Sequence, residues 1–118
     1  MPIIQRFVTA YKLWDEFRGH FPKKSRHTLG NRIDNIFLDA IELLFTASYL
    51  AQDQKLPFLQ KASTKLDLLK FFLQVAWEIK ALDNKKFVLL SERLNEIGKM
   101  LGGWIRGLIK RNSAESGE

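Results

Sequence analysis

The feature that most constrains this chain lies in its C-terminal third, where Phe87, Leu90, Leu94, Ile97, Leu101, Trp104 and Leu108 follow one another at spacings of three and four without a miss. That register sets all seven on one stripe of an α-helix, whereas a half-buried strand would alternate apolar and polar residues with a period of two. An apolar stripe sustained over three heptads needs a partner along its whole length, so this helix must pack against others.

Three further segments carry the same period. Residues of about 3–20 place Ile3, Phe7, Ala10, Trp14, Phe17 and Phe21 on one stripe, and the segment stops at Pro22, which cannot continue a helical hydrogen-bond ladder. A second helix of about 26–51 aligns Leu29, Ile33, Ile36, Ala40, Leu43, Ala47 and Leu50, with Ser25 or Thr28 available to cap its start. A third, about 57–82, opens with Pro57 and closes before the turn residues Asp83 and Asn84; the fourth covers about 85–111. Four amphipathic helices with short connections predict an all-α fold, an up-down-up-down antiparallel four-helix bundle. It forms one domain over residues 1–112, with a disordered polar tail at 113–118.

The third helix carries more apolar surface than one bundle face needs. Leu66, Leu69, Leu73 and Ala76 form one stripe; Leu68, Phe72, Val75, Ile79 and Leu82 form a second. A helix apolar over most of its circumference is buried on more than one side, which predicts a homo-oligomer with Phe71 and Trp77 at the contact. The plainer alternative sets these two aromatics at the edges of a monomeric bundle. Gly98, Gly102, Gly103 and Gly107 lie inside the fourth helix, each at a cost of up to about 1 kcal/mol relative to alanine. Close helix approach beside Trp104 is the expected compensation.

With 46 % apolar and 27 % charged residues, the 118-residue chain has the composition of a globular domain. It has no cysteine, which removes thiolate zinc sites, disulfides and cysteine nucleophiles and fits a reducing cytoplasm. His20 and His27 flank the proline bend rather than sharing a helix face, so neither a metal nor another cofactor is expected. Glu92 and Glu96 with Lys99 have the spacing of a solvated ion-pair ladder, and no convergent acid, base and nucleophile can be assembled; a binding protein is expected, not an enzyme. The apolar runs fall short of the roughly 20 residues a membrane span requires, and Met1 to Arg6 lack the pattern of a secretion signal.

Nineteen Lys and Arg against thirteen Asp and Glu give a net charge of +6, which favours encounters with polyanions such as nucleic acid. The cations gather in three places: Lys23, Lys24, Arg26 and Arg32 around the first connection; Lys61, Lys65 and Lys70 on the third helix; Lys99, Arg106 and Lys110 on one face of the fourth. These ten are the candidate nucleic-acid contacts. Ordinary solvated lysines are the competing explanation for any one of them.

Two longer stretches are distinctive: Phe21-Pro22-Lys23-Lys24-Ser25-Arg26 followed by Leu29-Gly30-Asn31-Arg32-Ile33, and Glu96-Ile97-Gly98-Lys99-Met100-Leu101-Gly102-Gly103-Trp104. With Lys65-Leu66-Asp67-Leu68-Leu69-Lys70-Phe71, they resemble Avd, the accessory variability determinant family of diversity-generating retroelements. The broader group of four-helix bundle proteins encoded in intervening sequences of bacterial ribosomal RNA genes shares the Phe-Pro entry to its second helix. The resemblance implies a pentameric barrel that binds the element's reverse transcriptase and contacts template RNA through basic surfaces, supporting mutagenic copying into a variable gene. Gln74 stands where similar proteins often carry a basic residue. An oligomeric scaffold that binds protein alone is the alternative.

Overall fold

In the computed structural model, which describes residues 2–116, the first helix α1 (Pro2–Arg18) buries Ile3, Phe7, Ala10, Trp14 and Phe17, the stripe set by its three-and-four spacing. Phe21 follows it into the core and meets Trp14 edge-on at 5.3 Å between ring centroids. The chain then makes a separate short helix, α2 (Lys23–Arg26), before α3 (Leu29–Tyr49). The expected single helix from residue 26 is therefore broken at Thr28, whose φ of −111° and ψ of −84° are not helical. Neither candidate cap acts through its side chain: the Thr28 hydroxyl donates backwards to the carbonyls of Lys24 and Ser25, at 3.3 and 3.5 Å.

A 3₁₀ turn (Gln52–Gln54) leads to α4 (Leu56–Glu78), with Pro57 in its first turn. The Lys55 ammonium donates to the carbonyl of Ala47 at 2.5 Å, beside the Leu50 N–H that the same oxygen accepts at 3.2 Å, and so closes the end of α3. Helix α4 stops at Glu78, four residues before the sequence expectation. The Lys80 N–H bonds the Trp77 carbonyl and the Ala81 N–H bonds the Ala76 carbonyl, both near 3 Å, with Lys80 at φ 66°. This is a Schellman ending with lysine in the left-handed position that glycine usually fills, so no glycine marked it in the sequence. Asp83 then caps α5 (Asn84–Ser116) by accepting the Lys86 N–H at 2.9 Å. Helix α5 runs through Ser116, so residues 113–116 of the expected tail are helical; nothing between Leu108 and Ser116 breaks the ladder, and each further residue adds one hydrogen bond. Gly117 and Glu118 lie outside the described residues.

The four long helices form a closed ring in which α1 touches α3 and α5, and α4 touches the same two, giving a four-helix bundle 56 Å long and about 20 Å across. Helices α3 and α5 thus stand at opposite corners. Between them lies one continuous apolar core, with Trp14, Phe7, Phe37, Leu44, Leu59, Leu69 and Leu94 fully enclosed. The heptad residues of α5 behave as expected: Leu90, Leu94, Ile97, Leu101 and Leu108 are buried, and Phe87 and Trp104 pack half-buried against them.

Candidate nucleic-acid interface

One buried-side carboxylate organises the joint between α1 and α3. Asp34 accepts hydrogen bonds from the Tyr11 hydroxyl at 2.8 Å and the Trp14 indole at 3.2 Å, and Arg18 pairs with its other oxygen at 3.4 Å while also reaching Asn31. Burial, then the hydrogen bond to Asp34, pushes the Tyr11 pKa up to about 12. Both oxygens of Asp34 are engaged, so the cluster acts as a strut between α1 and α3.

Arg26 belongs to the same joint. Its guanidinium donates to the carbonyls of Gly19 and Phe21, both at 3.1 Å, and so pins the connection between α1 and α3. Of the expected connector contacts, this leaves Lys23 and Lys24 exposed and available, while Arg32 lies over the Phe72 ring at 5.9 Å on the flank between α3 and α4. The α4–α5 turn comes to the same end of the bundle, since the Lys86 ammonium sits 5.7 Å from the Phe17 ring of α1. It brings exposed Lys80 and Lys85 there, which sequence reasoning missed because they lie some sixty residues from Lys23. Lys86 is held by Asp83 at 3.5 Å.

The remaining candidates fall into two grooves. Lys61 and Lys65 line one between α3 and α4 together with Asp39 and Glu42, and Lys65 pairs with Asp39 at 3.4 Å, so the local charge is largely balanced. Lys70, Lys99 and Arg106 line another between α4 and α5 with Ser63, Asp67, Asn95 and Gly98; Lys110 follows one turn beyond Arg106 on the same exposed face. The Lys70 ammonium lies 3.3 Å from where a Cβ on Gly98 would stand, so Gly98 lets this cation rest against α5.

The expected glycine contacts hold inside the protomer only at Gly98, which also meets Leu66 at 3.5 Å. A Cβ on Gly102 would meet only the guanidinium of Arg106 from its own helix, at 3.1 Å, and one on Gly103 would meet nothing nearer than that group at 4.0 Å. Trp104 shares a shallow apolar depression with Met100, Pro2 and Ile3 instead of covering the glycines. Trp77 stacks on Phe87 at 5.2 Å and donates to Asn84, tying off the α4–α5 turn within one chain, whereas Phe71 is left on the outer face. Much of the second stripe of α4 is also absorbed locally: Leu68 and Phe72 pack against the core. The larger unpaired apolar surface is on α3, where Leu38, Phe45 and Tyr49 are exposed.

Among the described residues, no group of three or more His, Cys, Asp or Glu is placed to hold a metal ion, and no helix is long and apolar enough to cross a membrane. Fold and surface together define a four-helix bundle whose cations collect at one end and along one helix. Residues 3–108 match the family described as bAvd-like, and the chain belongs to that family of accessory proteins, in keeping with its resemblance to Avd. No curated protein matches the chain.

Proposed function

We propose that this chain is a non-enzymatic accessory protein of a diversity-generating retroelement, acting in the cytoplasm as a homo-pentameric barrel. It binds the element's reverse transcriptase, and holds template RNA or cDNA on a basic surface, so that mutagenic retrohoming proceeds. The observation that carries the nucleic-acid part is the gathering of Lys23, Lys24, Lys80 and Lys85 from two separate connections at one end of the bundle, free of the ion pair that holds Lys86. Such cations neutralise phosphates and orient a strand without reading its bases. Trp14, Phe7, Phe21 and Phe37 are fully buried, the exposed Phe45 and Tyr49 lie toward the far end of α3, and Trp77 is stacked on Phe87, which favours charge and shape over base stacking at this end.

The test is binding of template-repeat RNA, and of the reverse transcriptase from the same element, by the wild-type chain and by the variant Lys23→Glu/Lys24→Glu/Lys85→Glu. The variant is expected to melt as the wild type does, because none of the three reaches the core, and to lose at least tenfold in RNA affinity. Unchanged RNA affinity would remove this end from the interface; a wild-type chain that binds neither RNA nor enzyme would refute the reading. A second reading, an oligomeric scaffold that binds only protein, is favoured by the exposed Leu38, Phe45 and Tyr49, and RNA binding decides between the two.

A further inference from the structure

The two helices at opposite corners of the bundle carry outer faces of opposite charge. From Ile33 to Gln54 the chain has no lysine or arginine, and its exposed acids are Asp39, Glu42 and Asp53; from Ile97 to Ala114 it has Lys99, Arg106, Lys110 and Arg111 and no acid. On α3 the exposed residues Leu38, Glu42, Phe45 and Tyr49 follow at spacings of four, three and four. On α5 the exposed residues Lys99, Gly103, Arg106 and Lys110 follow at the same spacings. Each stripe is therefore one straight row of about 16 Å on its helix.

Much of both rows is open to solvent, although Glu42 shares a groove with Lys61 and Lys65, and Lys99 and Arg106 share one with Asp67. Phe45 is 52 % and Tyr49 77 % exposed, and they touch chiefly one another, edge-on at 5.0 Å. Lys61 and Lys65 of α4 flank this face on one side, with Lys65 occupied by Asp39. On α5, Gly103 costs helix stability and gains no close packing inside the chain, since the space beside it is open.

The geometry points to a contact between two copies of this chain, in which the acidic, aromatic face of α3 docks on the basic, glycine-notched face of α5 of the next copy. Gly103 opens a hollow for an aromatic ring, Lys99, Arg106 and Lys110 supply cations for the faces of Phe45 and Tyr49, and Glu42 supplies the opposite charge. Because the two faces lie on opposite sides of one bundle, the contact is head-to-tail, and its repetition gives a ring where the rotation from copy to copy closes. This assignment rests on the oligomeric reading above and moves Lys99, Arg106 and Lys110 from the nucleic-acid surface to the subunit contact.

Two variants test it, each with its changes on exposed positions: Glu42→Lys/Phe45→Lys on α3 and Lys99→Glu/Arg106→Glu on α5. Light scattering is expected to find the wild type at a multiple of the 13.7 kDa chain and each variant alone at the mass of a single chain. An equimolar mixture of the two is expected to restore association, at the mass of a dimer or more, because one variant retains its α5 face and the other its α3 face. If both variants keep the wild-type mass, or if their mixture stays monomeric, the pairing of these two faces is wrong while the oligomeric reading stands. An α5 variant that keeps its mass but loses RNA binding overturns the assignment in favour of a nucleic-acid role. A monomeric wild type ends the oligomeric reading and this one with it.

Discussion

Lys80 occupies a left-handed backbone position, φ 66°, that costs a residue with a Cβ about 1 kcal/mol or more. The Schellman hydrogen bonds over-determine it, so Lys80→Gly should stabilise the chain by about 0.5–1 kcal/mol, after allowing for the greater freedom of glycine in the unfolded state. A denaturant titration with an unchanged or lower midpoint would count against strain there. Tyr11 makes a pH-dependent contribution with a definite sign. Its folded pKa, about 12, lies above the ordinary 10, so the stability it supplies is fully present below pH 10 and is lost as pH rises toward 12. Tyr11→Phe should lower the melting temperature at neutral pH, through the lost hydrogen bond to Asp34, and flatten the alkaline decline between pH 10 and 12. A variant that declines as steeply as the wild type would place the alkaline transition elsewhere. Asp83, by contrast, is held below the usual carboxylate range by the Lys86 N–H it accepts, so its capping contribution is present above the ordinary carboxylate pKa and fades as pH falls through its lowered one.

At the scale of elements, the glycines of α5 separate two kinds of position. The sequence alone leads one to expect that Gly103→Leu overpacks a helix contact, yet the space beside Gly103 is open within the chain. Gly103→Ala should therefore stabilise the isolated bundle by about 1 kcal/mol through helix propensity alone; a loss of stability in a monomeric sample would show an intrachain neighbour the geometry lacks. The stripes of α1 and α5 were legible because each buries one face with a clean three-and-four period, and every residue expected on the α1 stripe is buried. Helix α3 was less so: Phe37 and Leu44 share its core face, while Leu43 sits at the flank, and Leu38, Phe45 and Tyr49 point the other way, so its apolar residues do not mark one side. The ends of α3 and α4 were misplaced for a related reason. Thr28 and Lys80 take unusual backbone angles without the glycine or side-chain cap that would announce them. Of the expected basic site, Lys23 and Lys24 stand as solvent-exposed cations, Arg26 serves the connection itself, and Lys80 and Lys85 join only through the fold.

For the whole molecule, the surplus of +6 is spread unevenly: acids and cations balance in the groove between α3 and α4, while Lys23, Lys24, Lys80 and Lys85 stand exposed at the connector end, with Glu78 and Asp83 beside Lys80. That pattern suits a protein which orients a polyanion beside a partner without performing chemistry on it. Binding of single-stranded template RNA by the wild-type chain, measured from 50 to 200 mM salt, tests this most directly. If Lys23, Lys24, Lys80 and Lys85 each neutralise one phosphate, affinity should fall about fifty-fold across that range, in proportion to the counterions released. Affinity that stays level as salt rises, or no RNA binding even at the lowest salt, would contradict a charge-held nucleic-acid surface and leave a helical assembly that binds only protein.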